Sequence, residues 1–362
     1  MTWRDGPGAA RAAAMTADPG LPPGGPPPGL DLGALAGFLN RARPGLVRPP
    51  LDAVLITGGR SNLTYDVRDT DGRELIVRRP PLGHVLATAH DMAREHRVIT
   101  ALENTAVPVP HPHLLCTDPQ VIGAPFFVMD KVAGVALRQR AELELLGPER
   151  VRQICQRMMV TLATLHAIDP AQAGLDDFGR TAGYLRRQVN RWRRQLDQSH
   201  SRDLPGLDEL YRRLTDAVPE ESRSAIVHGD YRLDNLLIGA SDQVTAVLDW
   251  EMSTIGDPLV DVAVLVAYAQ EATQSPFGSQ DSAANAAGFP SPAELAESYA
   301  RLAGGAVDDF GFYLGLAFFK LAGILEGIYF RYAAGQTVGD GFADVGVRVP
   351  WLVEAGLAAI TR

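Results

Sequence analysis

The sequence has 362 residues, of which 46% are hydrophobic and 21% charged, a composition typical of a globular protein with more than one structural unit. Its 34 basic and 43 acidic side chains give a formal net charge of −9, which argues against a protein that grips nucleic-acid phosphates. Two cysteines, Cys116 and Cys155, without a CxxC motif, argue against a disulfide scaffold or a structural zinc site. They are typical of a reducing compartment, so a cytoplasmic location is expected.

Residues 1–30 are rich in Gly, Ala and Pro and contain the run PPGGPPP at 22–28. Such a segment has too few apolar side chains to offset the entropy of ordering, so a disordered tail is expected. No apolar stretch follows its early arginines, and it is not predicted to be a secretory signal. The later apolar stretch 313–330 includes Lys320 and Glu326, which predicts a buried core helix of a soluble protein and no membrane partner.

A β-rich region follows the tail. Three short apolar runs, at 54–56, 63–67 and 75–77, are separated by turn-forming sequences, which predicts an antiparallel meander. In the first turn, GGRSN, backbone N–H groups around Gly58, Gly59 and Asn62 could approach phosphate groups. A Gly-Gly turn that only joins two strands is the alternative interpretation.

A helix is predicted around residues 84–103. Met92, Glu95, Ile99 and Leu102 are three or four residues apart and therefore share one face, on which Glu95 is the only carboxylate.

Beyond this helix, the run FFVM at 126–129 predicts another strand, and after Pro148 the hydrophobic periodicity becomes mainly helical. One β-rich stretch, at 225–250, interrupts the helices. The pattern predicts a β-rich N-terminal lobe, a strand-like joint near residue 129 and a larger helical C-terminal lobe.

The sequence HGDYRLDN at 228–235 lies between two apolar runs and is predicted to be a polar loop between buried strands. Asp249 ends the strand that returns after the next hairpin. Phosphoryl transfer requires a carboxylate near the acceptor hydroxyl and oxygen ligands for magnesium at the nucleotide phosphates. Asp230, Asn235 and Asp249 supply this set, although Asp230 and Asn235 could otherwise only cap turns.

The loop and the later aspartate resemble the aminoglycoside phosphotransferase family and its kinase-like relatives, in which HGDxxxxN replaces the HRDxxxxN of protein kinases. The resemblance implies an α+β, protein-kinase-like fold with two lobes. These are a small antiparallel β lobe for the nucleotide (31–130) and a larger, mainly helical lobe with the catalytic loop and the acceptor site (131–362). It also implies that Asp230 positions and activates the acceptor hydroxyl, while Asn235 and Asp249 hold the Mg²⁺ that accompanies ATP.

By the same resemblance, Arg78 stands where kinases place a lysine over the α- and β-phosphates, and Glu95 stands where its partner glutamate belongs. Arginine departs from the kinase pattern, but it also binds phosphate, and Arg79 is the alternative contact. The adenine is expected to hydrogen-bond backbone groups near Met129 and Val132, where such folds join their lobes.

Asp261, in the string GDPLVD, matches the family pattern after the metal-binding aspartate. It is expected to brace the catalytic loop by hydrogen bonds, and His228 is expected to orient that loop rather than take part in the chemistry.

Four further strings are similar to the kinase-like domain that is fused to acyl-CoA dehydrogenase domains in some animal proteins. They are VRRPP (77–81), HGDYRLDNLL (228–237), LDWE (248–251) and IGDP (255–258). This similarity implies a hydroxyacyl-CoA or a related hydroxy acid as the acceptor. Because the kinase-like fold accounts for almost all of the chain, a functional partnership with a separate acyl-CoA dehydrogenase is expected.

Five arginines crowd one predicted helix of this otherwise acidic protein, flanking its apolar face. They either form a solvated surface or bind the phosphates of coenzyme A. These arginines are Arg186, Arg187, Arg191, Arg193 and Arg194.

Two other functions fit parts of the pattern. An aminoglycoside or macrolide phosphotransferase would share the catalytic loop, and the net charge of −9 suits a polycationic acceptor. A nucleotide-binding partner of a dehydrogenase, without catalysis, is favoured only by the arginine at position 78.

Overall fold

The computed structural model describes residues 27–56, 62–82, 91–199, 202–220, 223–305, 309–335 and 344–360. The chain divides into two compact units, the first extending to Thr105 and resuming over Val109–Ala133. The second comprises Ala106–Pro108 and everything from Gly134 onward. Most of the segment 1–30 lies outside the described residues, but Leu30 is described, and it is buried in the core of the first unit.

The first unit contains one five-stranded antiparallel sheet in the order β1-β2-β3-β5-β4. The predicted meander forms its first three strands. The strands are β1 (Asp52–Leu55), β2 (Leu63–Arg68), β3 (Glu74–Arg79), β4 (Pro112–Cys116) and β5 (Phe126–Asp130), and the helices are α1 (Leu32–Ala42) and α2 (Met92–Leu102).

The core of the first unit lies between the sheet and α1. Alternate residues of β2 and β3, such as Tyr65 and Val77, point to the face on which Leu35 and Leu39 of α1 pack. This burial removes apolar area from water and stabilises the sheet.

Helix α2 begins at Met92 because the Asp91 side chain caps it, accepting a hydrogen bond from the Arg94 backbone N–H at 2.9 Å. The helix was predicted around 84–103; its observed span ends at Leu102, and residues 84–90 of the predicted span lie outside the described part of the chain. Met92, Glu95, Ile99 and Leu102 are all buried on one face, as the spacing predicts.

The second unit is mainly helical, with two small two-stranded sheets. The pairs are β6 (Ala225–Val227) with β9 (Thr254–Gly256), and β7 (Leu236–Ile238) with β8 (Val244–Val247). The helices are α3 (Arg140–Glu144), α4 (Pro148–Ala167), α5 (Tyr184–Gln198), α6 (Leu207–Asp216), α7 (Leu259–Gln274), α8 (Pro292–Ala303), α9 (Phe310–Ala333) and α10 (Val345–Ile360).

Helix α9 is central to this unit. Of the helices in the described ranges, it alone is long and apolar enough to cross a membrane by length and composition. In its most apolar 18-residue stretch, 72% is buried inside the structure, and the helix packs against α5, α7 and α10 as a core helix does. Its two buried charged side chains have partners. Glu326 accepts a hydrogen bond from Arg202 at 2.7 Å, and Lys320 donates to the carbonyl of Gly229.

Candidate active site

The loop 228–235 leaves β6 and is held at its start by one buried carboxylate. The backbone N–H of His228 donates to Oδ2 of Asp261, and that of Gly229 donates to Oδ1, both at 2.7 Å. Asp261 lies in the first turn of α7 and is fully buried. It thus braces the loop in the way the sequence predicts.

The charge of Asp261 is stabilised from several directions. Burial by itself raises the pKa of this carboxyl group. The hydrogen bond from His166 at 3.2 Å and the hydrogen bond from the His228 backbone N–H outweigh that effect, and the pKa of Asp261 lies below its ordinary value of 3.8. A charged acceptor makes both backbone hydrogen bonds strong, so the start of the loop is fixed.

His228 ties the loop to the strand that carries Asp249. Its Nδ1 accepts a hydrogen bond from the Asp230 backbone N–H at 3.2 Å, and its Nε2 lies 2.9 Å from the Leu248 carbonyl oxygen. Both contacts are satisfied when the imidazole is neutral with its proton on Nε2. With both ring nitrogens bonded to the backbone, His228 orients the loop, as expected.

Gly229 is required where the loop turns towards Asp230. Its φ of +87° belongs to the left-handed region, and a Cβ there would lie 2.6 Å from the Met252 carbonyl oxygen. The backbone therefore passes closer to the turn 250–252 than any other residue type permits.

Asp230 and Asn235 are in direct contact. The Asn235 amide nitrogen donates to the Asp230 backbone carbonyl at 2.9 Å and to its side-chain Oδ2 at 3.1 Å. The 3₁₀ turn Leu233–Asn235 brings the two residues together, because the chain turns back there and returns to Asp230. The amide thus fixes the carboxylate of Asp230 and directs its own Oδ1 away from it.

Asp249 is brought to the same place by the β7–β8 hairpin. The ladder continues past the strands, because the Leu248 N–H donates to the Asn235 carbonyl oxygen at 2.8 Å. Asp249 follows with φ +66° and ψ 62°, a left-handed conformation that is uncommon for residues other than glycine. Such local strain is concentrated at functional sites, so the observation supports a functional role for Asp249.

The donor set fits a magnesium ion of a nucleotide complex. Among the described residues, no group of three or more His, Cys, Asp and Glu side chains could hold a metal ion. Asn235 and Asp249 instead offer one amide and one carboxylate oxygen. Magnesium is commonly held by one or two protein oxygens, with phosphates and water completing the octahedron. The pair therefore suits a metal that arrives with nucleotide phosphates.

In the first unit, Arg78 at the end of β3 and Glu95 of α2 form an ion pair. Arg78 Nε donates to Glu95 Oε2 at 3.0 Å, and Glu95 is only 2% exposed. Arg79, the alternative, is buried and donates to the Ile122 carbonyl at 2.9 Å and to the Gly29 carbonyl. Arg78 rather than Arg79 is therefore the residue placed in the way the resemblance implies.

The other predicted nucleotide contacts also belong to the first unit. Gly58 and Gly59 lie outside the described residues, and Asn62, which is described, is buried. Met129 lies in the interior strand β5, opposite Ile76, whereas Val132 follows the end of that strand and is half-buried. Their roles in adenine binding stay predictions.

Sequence reasoning missed two cations of the second unit. Lys320 of α9 lies against the loop 228–235, and Arg232 of that loop pairs with Asp234 and stacks over the Tyr268 ring at 4.3 Å. A lone lysine in a long apolar helix is a signal that could have identified Lys320, since such a residue is rarely buried without a partner.

Comparisons with known proteins agree on one family. The model of the phosphotransferase enzyme family (APH) matches residues 52–297. Acyl-CoA dehydrogenase family member 11 from Gallus gallus is 36% identical over 343 residues, 92% of this chain and 44% of that protein. Acyl-CoA dehydrogenase family member 10 from Mus musculus is 36% identical over 291 residues, 79% of this chain and 27% of that protein. The chain thus spans less than half the length of these curated relatives.

Solved structures give the same result. The crystal structure of a candidate aminoglycoside phosphotransferase from Ralstonia eutropha is 32% identical, with a TM-score of 0.78, and the match covers 91% of this chain and 98% of that one. A ternary complex of a thermostable aminoglycoside phosphotransferase with AMP-PNP and hygromycin B is 15% identical, with a TM-score of 0.57 over 91% of this chain and 98% of that one, which shows the fold alone. With its kinase-like, two-lobe α+β fold, the chain belongs to the phosphotransferase enzyme family.

Proposed function

We propose that this protein transfers the γ-phosphate of ATP to the hydroxyl group of a small molecule, with a hydroxyacyl-CoA or a related hydroxy acid as the acceptor. The observation that carries the proposal is the contact between Asp230 and Asn235 in a loop braced by Asp261. A capped turn would not require a buried carboxylate, a left-handed glycine and a left-handed aspartate around one loop.

In this mechanism, the Asp230 carboxylate accepts the proton of the acceptor hydroxyl as its oxygen attacks the γ-phosphorus. The new O–P bond forms while the bond to the β–γ bridging oxygen breaks, and ADP leaves. Asn235 keeps Asp230 in position through its amide nitrogen. Asn235 and Asp249 would hold the magnesium ion, which when bound would supply positive charge for the phosphate oxygens, and Arg78, oriented by Glu95, is assigned to the α- and β-phosphates.

The acceptor class is supported by the relatives and by the arginines of α5. Proteins named acyl-CoA dehydrogenase family members match 92% and 79% of this chain, so the acyl-CoA in those names suggests the acceptor. The same relatives support a functional partnership with an acyl-CoA dehydrogenase, and a cytoplasmic location is part of the proposal. An antibiotic phosphotransferase remains the competing function, because the Ralstonia eutropha structure is described as an aminoglycoside phosphotransferase candidate.

The deciding experiment is a panel of acceptors. The purified protein is incubated with ATP, Mg²⁺ and, in turn, hydroxyacyl-CoAs, free hydroxy acids, aminoglycosides and macrolides, and the release of ADP is followed. We expect turnover with the hydroxyacyl-CoAs or hydroxy acids. Turnover with antibiotics alone would replace the acceptor, and nucleotide binding without turnover of any acceptor would favour a non-catalytic module.

The magnesium ligands are tested separately by Asp249→Ala. We expect this variant to lose the Mg²⁺-dependent part of its ATP affinity, because Asp249 supplies one of the two proposed protein ligands. Calorimetric titration of ATP with and without Mg²⁺ measures this, with thermal unfolding as the check that the fold is kept. An undiminished magnesium effect would remove Asp249 from the site.

A further inference from the structure

Lys320 has surroundings that a purely structural lysine rarely has. It is 4% exposed in the middle of the core helix α9, and its ammonium donates to the backbone carbonyl of Gly229. Within the described part of the chain, no carboxylate forms a salt bridge with it, and the Trp192 ring lies 5.8 Å away. Burial of an ammonium group is costly unless it is paired, and one carbonyl uses only one of its three donors.

A small cavity of about 20 Å³ is lined in part by Lys320. That space suits one small polar group, since a single water needs roughly 10–15 Å³ on the same scale. Gly229 forms part of the wall, so the cavity lies next to the residue that precedes Asp230. The residues that matter here are Tyr184, Gln188, Arg191, Trp192, Gly229 and Lys320.

In the part of the chain that the structure describes, the two charged side chains that line the cavity are both cations, and most of the remaining lining is apolar. Lys320 and Arg191 both line it, and no Asp or Glu does so among the described residues. Arg191 is exposed and its guanidinium lies 5.3 Å from the centre of the Trp192 ring, whereas Lys320 is buried. Such a cavity favours oxygen acceptors and repels ammonium groups.

The remaining arginines of α5 do not share this position. Arg187 donates to the backbone carbonyls of Arg180 and Ala182, and Arg193 pairs with Asp197 and Asp208. None of the four others lines the described cavity. Arg191 is thus the member of the cluster that is placed to meet an acceptor.

We propose that the Lys320–Arg191 cavity binds the acyl oxygen of the acceptor, with the Lys320 ammonium as donor, and so presents a hydroxyl group of the same molecule to Asp230. The inference rests on the proposed phosphotransferase function and specifies its substrate class: a hydroxylated acyl compound, either a thioester or a free acid. Burial lowers the pKa of Lys320 below its ordinary value of 10.5, and the nearby Asp230 and Asp261 carboxylates oppose that shift. Acyl oxygen and reacting hydroxyl would therefore be held on neighbouring groups.

The test compares acceptors that differ at the acyl group. Hydroxybutanoyl-CoA, free hydroxybutanoate and butanediol, in which a hydroxymethyl group replaces the acyl group, are assayed with wild-type protein, Lys320→Met, Arg191→Gln and Arg194→Gln. Arg194 is an exposed residue of the same helix that does not line the cavity, and it is the matched control. If the wild-type protein phosphorylates the thioester and the free acid equally well, the cavity binds the acyl oxygen common to both. If it prefers one of them, that compound identifies the chemical form of the acceptor.

We expect Lys320→Met to lower kcat/KM for the thioester or acid about 10- to 100-fold relative to butanediol, the range of a hydrogen bond to a charged group. Arg191→Gln should lower kcat/KM for the thioester or acid, relative to butanediol, by a smaller factor. Neither substitution should change KM for ATP. A loss of the same size for butanediol would mean that Lys320 only positions the loop through Gly229, and would overturn the inference.

A different result would show that the proposed phosphotransferase function is wrong. If the wild-type protein binds ATP but phosphorylates none of the three compounds, the proposed function is rejected for this acceptor class. Calorimetric titration of hydroxybutanoyl-CoA into wild type and Lys320→Met then tests whether the cavity binds the acyl group. Equal or absent binding overturns the inference, and weaker binding by the variant supports it. If Lys320→Met does not fold, the preference measured with Arg191→Gln, which changes an exposed side chain, decides in its place.

Discussion

Two residues of the candidate site, Gly229 and Asp249, have left-handed backbone conformations, and they differ in what enforces them. Gly229 has φ +87° and passes within contact distance of Met252, so a side chain is excluded. Asp249 has φ +66° although it carries a side chain, so its conformation costs about 1–2 kcal/mol. Among the described residues, Asp242 and Asp309 share this left-handed backbone conformation with Asp249.

The requirement for glycine at 229 can be measured against a matched site. Gly229→Ala is expected to destabilise the protein by about 2–5 kcal/mol, the sum of left-handed strain and overlap with the Met252 backbone. Gly174 has φ +72° but open space around its Cβ position, so Gly174→Ala should cost only about 1–2 kcal/mol. Denaturant unfolding of both variants measures the difference, and equal losses would show that the contact with Met252 is unimportant.

Asp230→Asn tests the proposed base. The amide cannot accept the hydroxyl proton, so turnover should fall by about 10²–10⁴-fold, while ATP affinity changes little. Steady-state assays with the acceptor found in the panel measure turnover, and calorimetry measures ATP affinity. Asp216→Asn, at an exposed position of α6, is the matched control and should retain full activity. Full activity of Asp230→Asn would exclude Asp230 from the proton transfer.

At the scale of elements, the first turn of α7 positions the loop 228–235 of the candidate site. One carboxylate, Asp261, accepts two backbone N–H groups of the loop and one imidazole from α4. His166 in turn lies 2.8 Å from the Tyr299 hydroxyl of α8, so three helices and the loop share one buried network. Because a buried network of this kind is costly when partly satisfied, its loss affects the loop as a unit.

Asp261→Asn should therefore lower stability in a pH-dependent way. The folded-state pKa of Asp261 lies below its ordinary value of 3.8, so its charge contributes stability that is fully present above about pH 4. That contribution is lost as the pH falls through the lower, folded-state pKa.

Replacing this charged acceptor should cost about 1.5–3 kcal/mol near neutral pH for each strong hydrogen bond lost. The stability gap between wild type and Asp261→Asn should narrow below about pH 4. Denaturant midpoints at a series of pH values measure this gap. A gap that stays constant over the acid range would mean that Asp261 is not charged in the folded protein.

At the scale of the whole molecule, each of the two units has its own hydrophobic core, and each contains one of the two cysteines. Cys116 ends β4 in the first unit and is 3% exposed; Cys155 lies in α4 of the second and is 0% exposed. Burial raises the pKa of both thiols, that of Cys155 to about 12. Buried, protonated thiols react slowly, because the thiolate is the nucleophile.

The two cysteines therefore report the unfolding of each unit. Neither should react with iodoacetamide in the native protein, and each should become reactive when its own unit unfolds. Pulsed alkylation along a denaturant gradient, with each site read by mass spectrometry, gives one midpoint per unit. Coincident midpoints would indicate cooperative unfolding of the whole chain, and rapid alkylation without denaturant would contradict the burial of the labelled thiol.

The secondary structure of the candidate site was predictable because its signals are local. Alternating apolar residues and Asp and Gly turns predicted the meander of β1 to β3, and the spacing of Met92, Glu95 and Leu102 predicted the buried face of α2. The spacing of Asp230, Asn235 and Asp249, together with the family resemblance, identified the candidate catalytic set. All of these inferences depend on residues that are near one another in sequence.

Contacts between distant segments were decided by the tertiary structure. Nothing in the local sequence indicates that Lys320 meets Gly229, or that Arg191, rather than another arginine of α5, lines the cavity beside it. The choice of Arg78 over Arg79 was likewise open, because adjacent strand residues point to opposite faces and only the packed sheet shows which face meets Glu95. The sequence by itself determined the elements and the candidate reacting groups, since propensity and periodicity act over a few residues. The Lys320–Arg191 cavity arose only when helices far apart in the chain packed together.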